Sequence, residues 1–407
     1  MSPEDLLLPE GSVLLHVGPY KTGSTTIQRS LAQARDRLEQ YGAAYPHPPR
    51  EPGWHVYHRA VRPGWAVLRW APPGQPVPDI SVWEEFAATV REQTATRVCV
   101  STEDFGSMGN PERAQRIVDD LGGDNVYVVA TSRALHRLLP SHWQERVKSA
   151  LDPRTYDEWL RSVLLPEHRE EAGKAFWRSH DLARTTAAWL AAVGPERFTL
   201  IVTDDSDRAL LPHAFERMLG LPDGFLISAE RSNESFSYNA AELVRRLNVE
   251  SHKQPWPEST YVKLMRGGAF RGITGAEPSE FDERIPGLPQ WALEPVRELG
   301  RQRVDLIEQR SLRVVGDPEC LLLPADFQAD TDAGPPAQIS LNSAASALSG
   351  VIDRACRLEQ DQIGTVKRLR ARVERLEDPD RSLDGVSGKR LARELARRAR
   401  ARLRRPR

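Results

Sequence analysis

Val13-Leu-Leu-His-Val-Gly-Pro-Tyr-Lys-Thr-Gly-Ser-Thr-Thr26 is the stretch that decides the architecture. An apolar run of strand length passes into a glycine-bounded loop, and the loop into serine and threonines that read as a helix start. The first amides of a helix lack carbonyl partners and lie at the positive end of its macrodipole, so a strand-loop-helix junction of this kind is an anion site. Gly18, Gly23 and Thr25 have the spacing of a triphosphate-binding loop, but Ser24 stands where that motif demands lysine. The lysine is Lys21, displaced into the loop. Such a cradle suits one phosphate-like group and is poorly built to bridge the β- and γ-phosphates of a nucleoside triphosphate.

Outward from this junction the chain alternates strand and helix patterns. Apolar runs at 13–17, 97–100, 125–131 and 198–202 read as strands, with a brief one at 43–45. Helical periodicity covers 25–40, 82–93, 111–121, 135–149, 181–193 and 291–309, and most of 206–250 apart from the polar Arg231-Ser-Asn-Glu-Ser235. Strands that are apolar throughout, separated by helices, predict a three-layer α/β domain whose parallel sheet is covered on both faces. Ligands of such sheets bind beyond the carboxyl ends of the strands. That rule sends Lys21, Glu103 and Arg133 to one rim. Residues 46–80, rich in Pro, Gly, Trp and His, show no sustained period and are expected to form part of an acceptor-binding wall.

The α/β domain is expected to span 1–324, followed by a linker at 325–341, a coiled-coil helix at 342–378 and a basic tail at 379–407. In the third of these, Leu348, Ile352, Ala355, Val366, Leu369, Val373 and Leu376 follow steps of four and three, with Glu359 and Gln362 interrupting the seam. Self-association through this helix is a natural expectation.

Hydrophobic residues make up 40% of the 407, enough for a sizeable core. The net charge of −1 conceals an asymmetry: from Gly388 onward ten Lys/Arg face a single Glu394, leaving the rest acidic by about 10 charges. The tail could meet an anionic membrane surface, an acidic partner or nucleic acid, although it carries no aromatic residue for stacking on bases. Cys99, Cys320 and Cys356 are widely spaced and odd in number, giving neither a zinc spacing nor a disulfide framework. No run reaches the length of a membrane span or a signal core. The expected location is the cytoplasm, with the inner membrane face open to the tail.

With loop, rim residues and their order in hand, residues 11–324 resemble the sulfotransferases that use 3′-phosphoadenylyl sulfate, in particular the bacterial members. The resemblance rests on Pro19-Tyr-Lys-Thr-Gly-Ser-Thr-Thr26 and on Ser132-Arg133 with Ser141 eight residues later. It implies a three-layer, triphosphate-hydrolase-like fold with a C-terminal appendage. It implies that the loop holds the 5′-phosphosulfate and that Arg133 and Ser141 bind the 3′-phosphate. Sulfuryl transfer builds negative charge on the bridging oxygen to the leaving phosphate, where a placed cation and amide donors lower the barrier. Lys21 is the candidate for that oxygen, with Thr22, Gly23, Ser24, Thr25 and Thr26 supplying amides and hydroxyls. Glu103 is the candidate base for the acceptor hydroxyl, with Asp104 its alternate; no metal is expected. A carbohydrate or lipid-linked acceptor is implied by the family and by the 46–80 segment, with a hydroxyl as the accepting group and an amine as its alternate. Two features depart from the cytosolic members: Thr26 replaces the tryptophan that stacks on adenine, and the late Arg-Lys-Gly motif is missing, with Arg231–Ser235 in a comparable region.

Rival readings are a kinase, with Asp204 and Asp205 near magnesium, and a non-catalytic scaffold. His16, inside an apolar strand, reads as a hydrogen-bonded core histidine. His55 and His58 read as packed or exposed residues rather than metal ligands.

Overall fold

The computed structural model describes residues 6–46, 61–72, 75–149, 152–226, 236–254, 256–277, 279–280, 282–330 and 334–377, the last three by backbone only. His55, His58, Arg231–Ser235 and the basic tail lie outside these residues.

Six strands form one sheet: Ser12–His16 (β1), Ala43–Ala44 (β2), Arg97–Ser101 (β3), Val126–Arg133 (β4), Phe198–Thr203 (β5) and Val314–Val315 (β6). Their order is β2-β3-β1-β4-β5-β6, and every pairing is parallel. The strands are apolar because both faces are covered. Val13 and Leu15, Val98 and Val100, Val126, Val128 and Ala130, and Phe198, Leu200 and Val202 share one face. They pack there with Trp83 and Phe86, Ile117 and Val118, and Trp189, from the helices Ser81–Arg91, Pro111–Leu121 and Leu182–Val193. The alternate residues Leu14, Cys99, Val129 and Ile201 face the helices Ser24–Gln33 and Leu210–Leu219. Period-two alternation within a parallel sheet thus divides the core into two layers.

Several elements differ from expectation. The helix read over 25–40 breaks into Ser24–Gln33, Arg35–Leu38 and a 3₁₀ turn, Glu39–Tyr41, which Gly42 closes at φ 65°. Within 46–80 there is a helix, Val61–Leu68, whose Trp65, Ala66, Val67 and Leu68 are buried. Tyr156–Leu164 and Glu171–His180 are further helices without a counterpart in the sequence reading.

The described residues belong to two compact units. The sheet and its helices make up the first, Met1–Ser259 with Pro278–Leu341; the second joins Thr260–Glu277 to the chain from Asn342 onward. In the second unit the 37-residue helix Leu341–Glu377 crosses a helical segment with a π-turn at Met265–Ala269. Glycine makes the crossing close: a Cβ on Gly268 would lie 2.7 Å from the Gly350 carbonyl oxygen, and one on Gly272 would strike Ser346. No helix among the described residues is long and apolar enough to cross a membrane.

Candidate functional site

β1 lies at the point where the strand order reverses, with β2 and β3 to one side and β4 to β6 to the other. The loop after β1 therefore opens into the crevice where α/β sheets bind their ligands. Its floor is tightly built. His16 is fully buried, its Nδ1 is 2.8 Å from the Ser101 hydroxyl, and burial pulls its pKa down to about 3. It is a neutral core residue. A Cβ on Gly18 would strike both this imidazole and the Thr131 hydroxyl, so only glycine lets the loop leave the strand here. Thr22 donates its hydroxyl to the Pro19 carbonyl at 2.7 Å and meets the Thr131 hydroxyl at 2.5 Å, which ties the loop to β4. Ser24 is buried with its hydroxyl 3.5 Å from the same carbonyl.

The backbone then turns through two left-handed residues, Lys21 at φ 68° and Gly23 at φ 99°. For lysine that conformation costs on the order of 1 kcal/mol. Thr26 is the first helix residue whose amide meets a backbone carbonyl, that of Gly23 at 3.0 Å, so among the described residues Ser24 and Thr25 keep their amides free of such partners. The side chains of Thr22 and Ser24 are engaged within the loop, while Thr25 is half-buried and Thr26 exposed.

Around Lys21 the structure gathers acids from two elements. Its ammonium pairs with Glu145 at 2.9 Å, from the helix Leu135–Ser149. Burial pushes the Glu145 carboxyl up, but the Lys21 charge and hydrogen bonds from Ser149 and Lys21 outweigh it and hold the pKa at about 2. Glu103 opens the 3₁₀ turn after β3 and is partly buried. Desolvation, with repulsion from Asp104 and Glu145, lifts it to about 8 against the pull of Lys21. Its neighbour Asp104 is occupied: Tyr20 donates to it at 2.6 Å and the Trp65 indole at 3.1 Å. Burial raises Asp104 too, with those two hydrogen bonds opposing. Lys148, one turn beyond Gln144, donates to that amide at 3.0 Å, and burial lowers its pKa to about 8.

Arg133 ends β4 and forms a two-pronged pair with Asp205, Nε to Oδ1 at 2.9 Å and Nη2 to Oδ2 at 2.7 Å. Its remaining nitrogen donates to the Lys21 carbonyl at 3.3 Å, so one side chain bridges β4 and the loop. Asp204 accepts from the Ser206 amide at 2.8 Å. Ser141 is partly buried on the helix Leu135–Ser149, four residues before Glu145 and hence on the same helix face. The structure therefore brings Lys21, Glu103 and Arg133 to one rim; it adds Glu145, which the sequence reading missed although its i+4 relation to Ser141 was there to be seen.

A second omission is Arg303. It lines a cleft with Pro19, Thr22, Thr131, Arg133 and His180. Although buried, it meets no carboxylate at hydrogen-bond distance among the described residues. Its guanidinium donates to the Arg133 carbonyl at 3.2 Å and the His180 carbonyl at 2.9 Å, and burial lowers its pKa to about 10, opposed by Asp181. Its signal was its phase: Val296, Gly300, Val304 and Ile307 mark the buried stripe of the helix Leu293–Gln309, and an arginine lies within it.

These features define an α/β protein whose parallel sheet carries, at its switch point, a strand-loop-helix junction with free helix amides. No family model matches the chain, and no curated protein matches it. Among solved structures, a sulfotransferase from Alicyclobacillus acidocaldarius is similar at 15% identity, over 59% of this chain and 94% of that one, with a TM-score of 0.37. The fold described above rests on its own strand order and register, and the chemistry on its own residues.

Proposed function

We propose that this chain transfers a sulfuryl group from 3′-phosphoadenylyl sulfate to a hydroxyl, on a carbohydrate or lipid-linked acceptor. The observation that carries this reading is the Lys21 ammonium, held on a left-handed loop residue beside unpartnered helix amides, with the raised carboxyl of Glu103 close enough to feel its charge. The amides of Ser24 and Thr25 suit the 5′-phosphate, and the Lys21 ammonium suits the bridging oxygen. As the acceptor oxygen attacks sulfur, the bond from sulfur to the phosphate oxygen breaks. Glu103 takes the acceptor proton, and adenosine 3′,5′-bisphosphate leaves. A base with a pKa of about 8 gains ionised fraction as pH rises toward that value, so the transfer rate climbs through the same interval.

Arg133 suits the 3′-phosphate through its planar fork, which must then exchange Asp205 for the ligand, with Ser141 as a hydroxyl donor. Lys21 has three donors and can serve an oxyanion while Glu145 remains its neighbour. Calorimetric titration with adenosine 3′,5′-bisphosphate in the absence of metal tests the donor site. Micromolar binding that is lost in Lys21→Ala supports the proposal; binding of ATP with magnesium alone, and none of the bisphosphate, returns the loop to a kinase reading.

A further inference from the structure

The second unit carries a feature the transfer chemistry does not use. Along the helix Leu341–Glu377, Leu348, Ile352, Val366, Leu369 and Val373 are 64%, 63%, 46%, 56% and 48% exposed. They fall on one seam with Ala355, Glu359 and Gln362, in unbroken steps of four and three. The crossing segment covers a different side of the helix, where Ser343 and Ala347 are buried and Gly350 meets Gly268. From Glu359 to Glu374 every side chain is exposed. A helical stretch of that length is marginal in water without a partner, and an apolar stripe at this period is the seam of a coiled coil.

The seam also says what covers it, because it is complementary to itself. Turned about a two-fold axis between Gln360 and Asp361, it sets Leu348 against the partner's Val373 and Ile352 against the partner's Leu369. The small Ala355 meets the partner's Val366. Glu359 falls opposite the partner's Gln362, whose amide can donate to the carboxylate. A polar layer inside an apolar seam fixes register, and here it is satisfied only when the two helices run in opposite directions. In a parallel pair the two Glu359 carboxylates would face each other. The basic run Lys367, Arg368, Arg370 and Arg372 would likewise lie beside its own copy. We infer that the occupant of this seam is a second copy of the chain, joined in an antiparallel, two-fold symmetric coiled coil through residues 348–373.

Light scattering coupled to size exclusion on the full chain should give twice the chain mass at micromolar concentration. The double substitution Val366→Lys with Leu369→Lys should give the single-chain mass with the near-ultraviolet circular dichroism of the first unit unchanged, since both side chains are solvent-exposed. Orientation is read in a Cys356→Ser background. Ile352→Cys with Leu369→Cys should cross-link into covalent dimers on mild oxidation, and Leu369→Cys alone should not. A full chain that stays single at these concentrations, or a dimer indifferent to the lysine pair, overturns the inference. So does efficient cross-linking through Leu369→Cys alone, which only a parallel pair permits.

Discussion

Lys21 combines two properties that mutation can separate. Its backbone is left-handed and its ammonium faces Glu145. Lys21→Gly relieves the first and removes the second. Stranding the half-buried Glu145 carboxylate without its cation outweighs the relieved backbone, so the melting temperature should fall, while titration with adenosine 3′,5′-bisphosphate shows no binding. Glu103 gives a readout independent of any acceptor. Because its folded pKa of about 8 lies above the ordinary 4.5, the fold favours its protonated form. That contribution is complete below the unfolded pKa and fades as pH rises toward 8. Between pH 6 and 8 the stability of the native chain should therefore decline, and Glu103→Gln should flatten the decline in a series of urea titrations. Asp205 competes for Arg133 through a half-exposed ion pair. Asp205→Asn should tighten bisphosphate binding about two- to five-fold, the range an exposed pair allows. Unchanged affinity would separate Arg133 from the ligand.

Elements were legible in the sequence where their periodicity was long and their ends were marked. The helix Pro111–Leu121 has Asn110 as its cap, accepting from the Arg113 amide, and proline in its first turn. The helix Tyr156–Leu164, which the sequence reading did not include, carries an equally clear start signal: Thr155 and Glu158 form a reciprocal capping box. Thr155→Ala should cost about 1 kcal/mol in a denaturant titration. Val61–Leu68 was not readable, since Pro63 and Gly64 argue against a helix; tertiary packing of Trp65 beside Asp104 overrides that propensity. β6, two residues at the sheet edge, is too short for any pattern. In the loop, glycine spacing identified the turn, but no periodicity could reveal that the Thr22 hydroxyl would serve the backbone of Pro19. Gly18→Ala should preserve the fold and abolish bisphosphate binding, because the added methyl displaces the loop from Thr131 and His16.

Across the whole molecule, burial decides how the protein meets acid. His16 and His142 are pulled down to about 3 and His136 to about 4, in each case chiefly by desolvation, and His180 falls well below its ordinary value for the same reason. A histidine whose folded pKa is depressed binds its proton only on unfolding, so stability is lost as pH falls below 6.5. At pH 5 each such residue withdraws up to about 2 kcal/mol, and calorimetry should show a steep fall in melting temperature between pH 6.5 and 5. A flat profile would show that these imidazoles reach water in the native state. The sheet class and the rim followed from strand patterns alone, whereas Glu145 and Arg303 join the site only through how helices pack against that sheet. The three cysteines differ in the same way. Cys99 is sealed in the sheet with its thiol pushed up by burial, Cys320 is partly covered and also raised, and Cys356 stands exposed on the long helix. A maleimide fluorophore will therefore tag the native chain first at Cys356, giving a ready-made spectroscopic beacon on the helix without any engineered label.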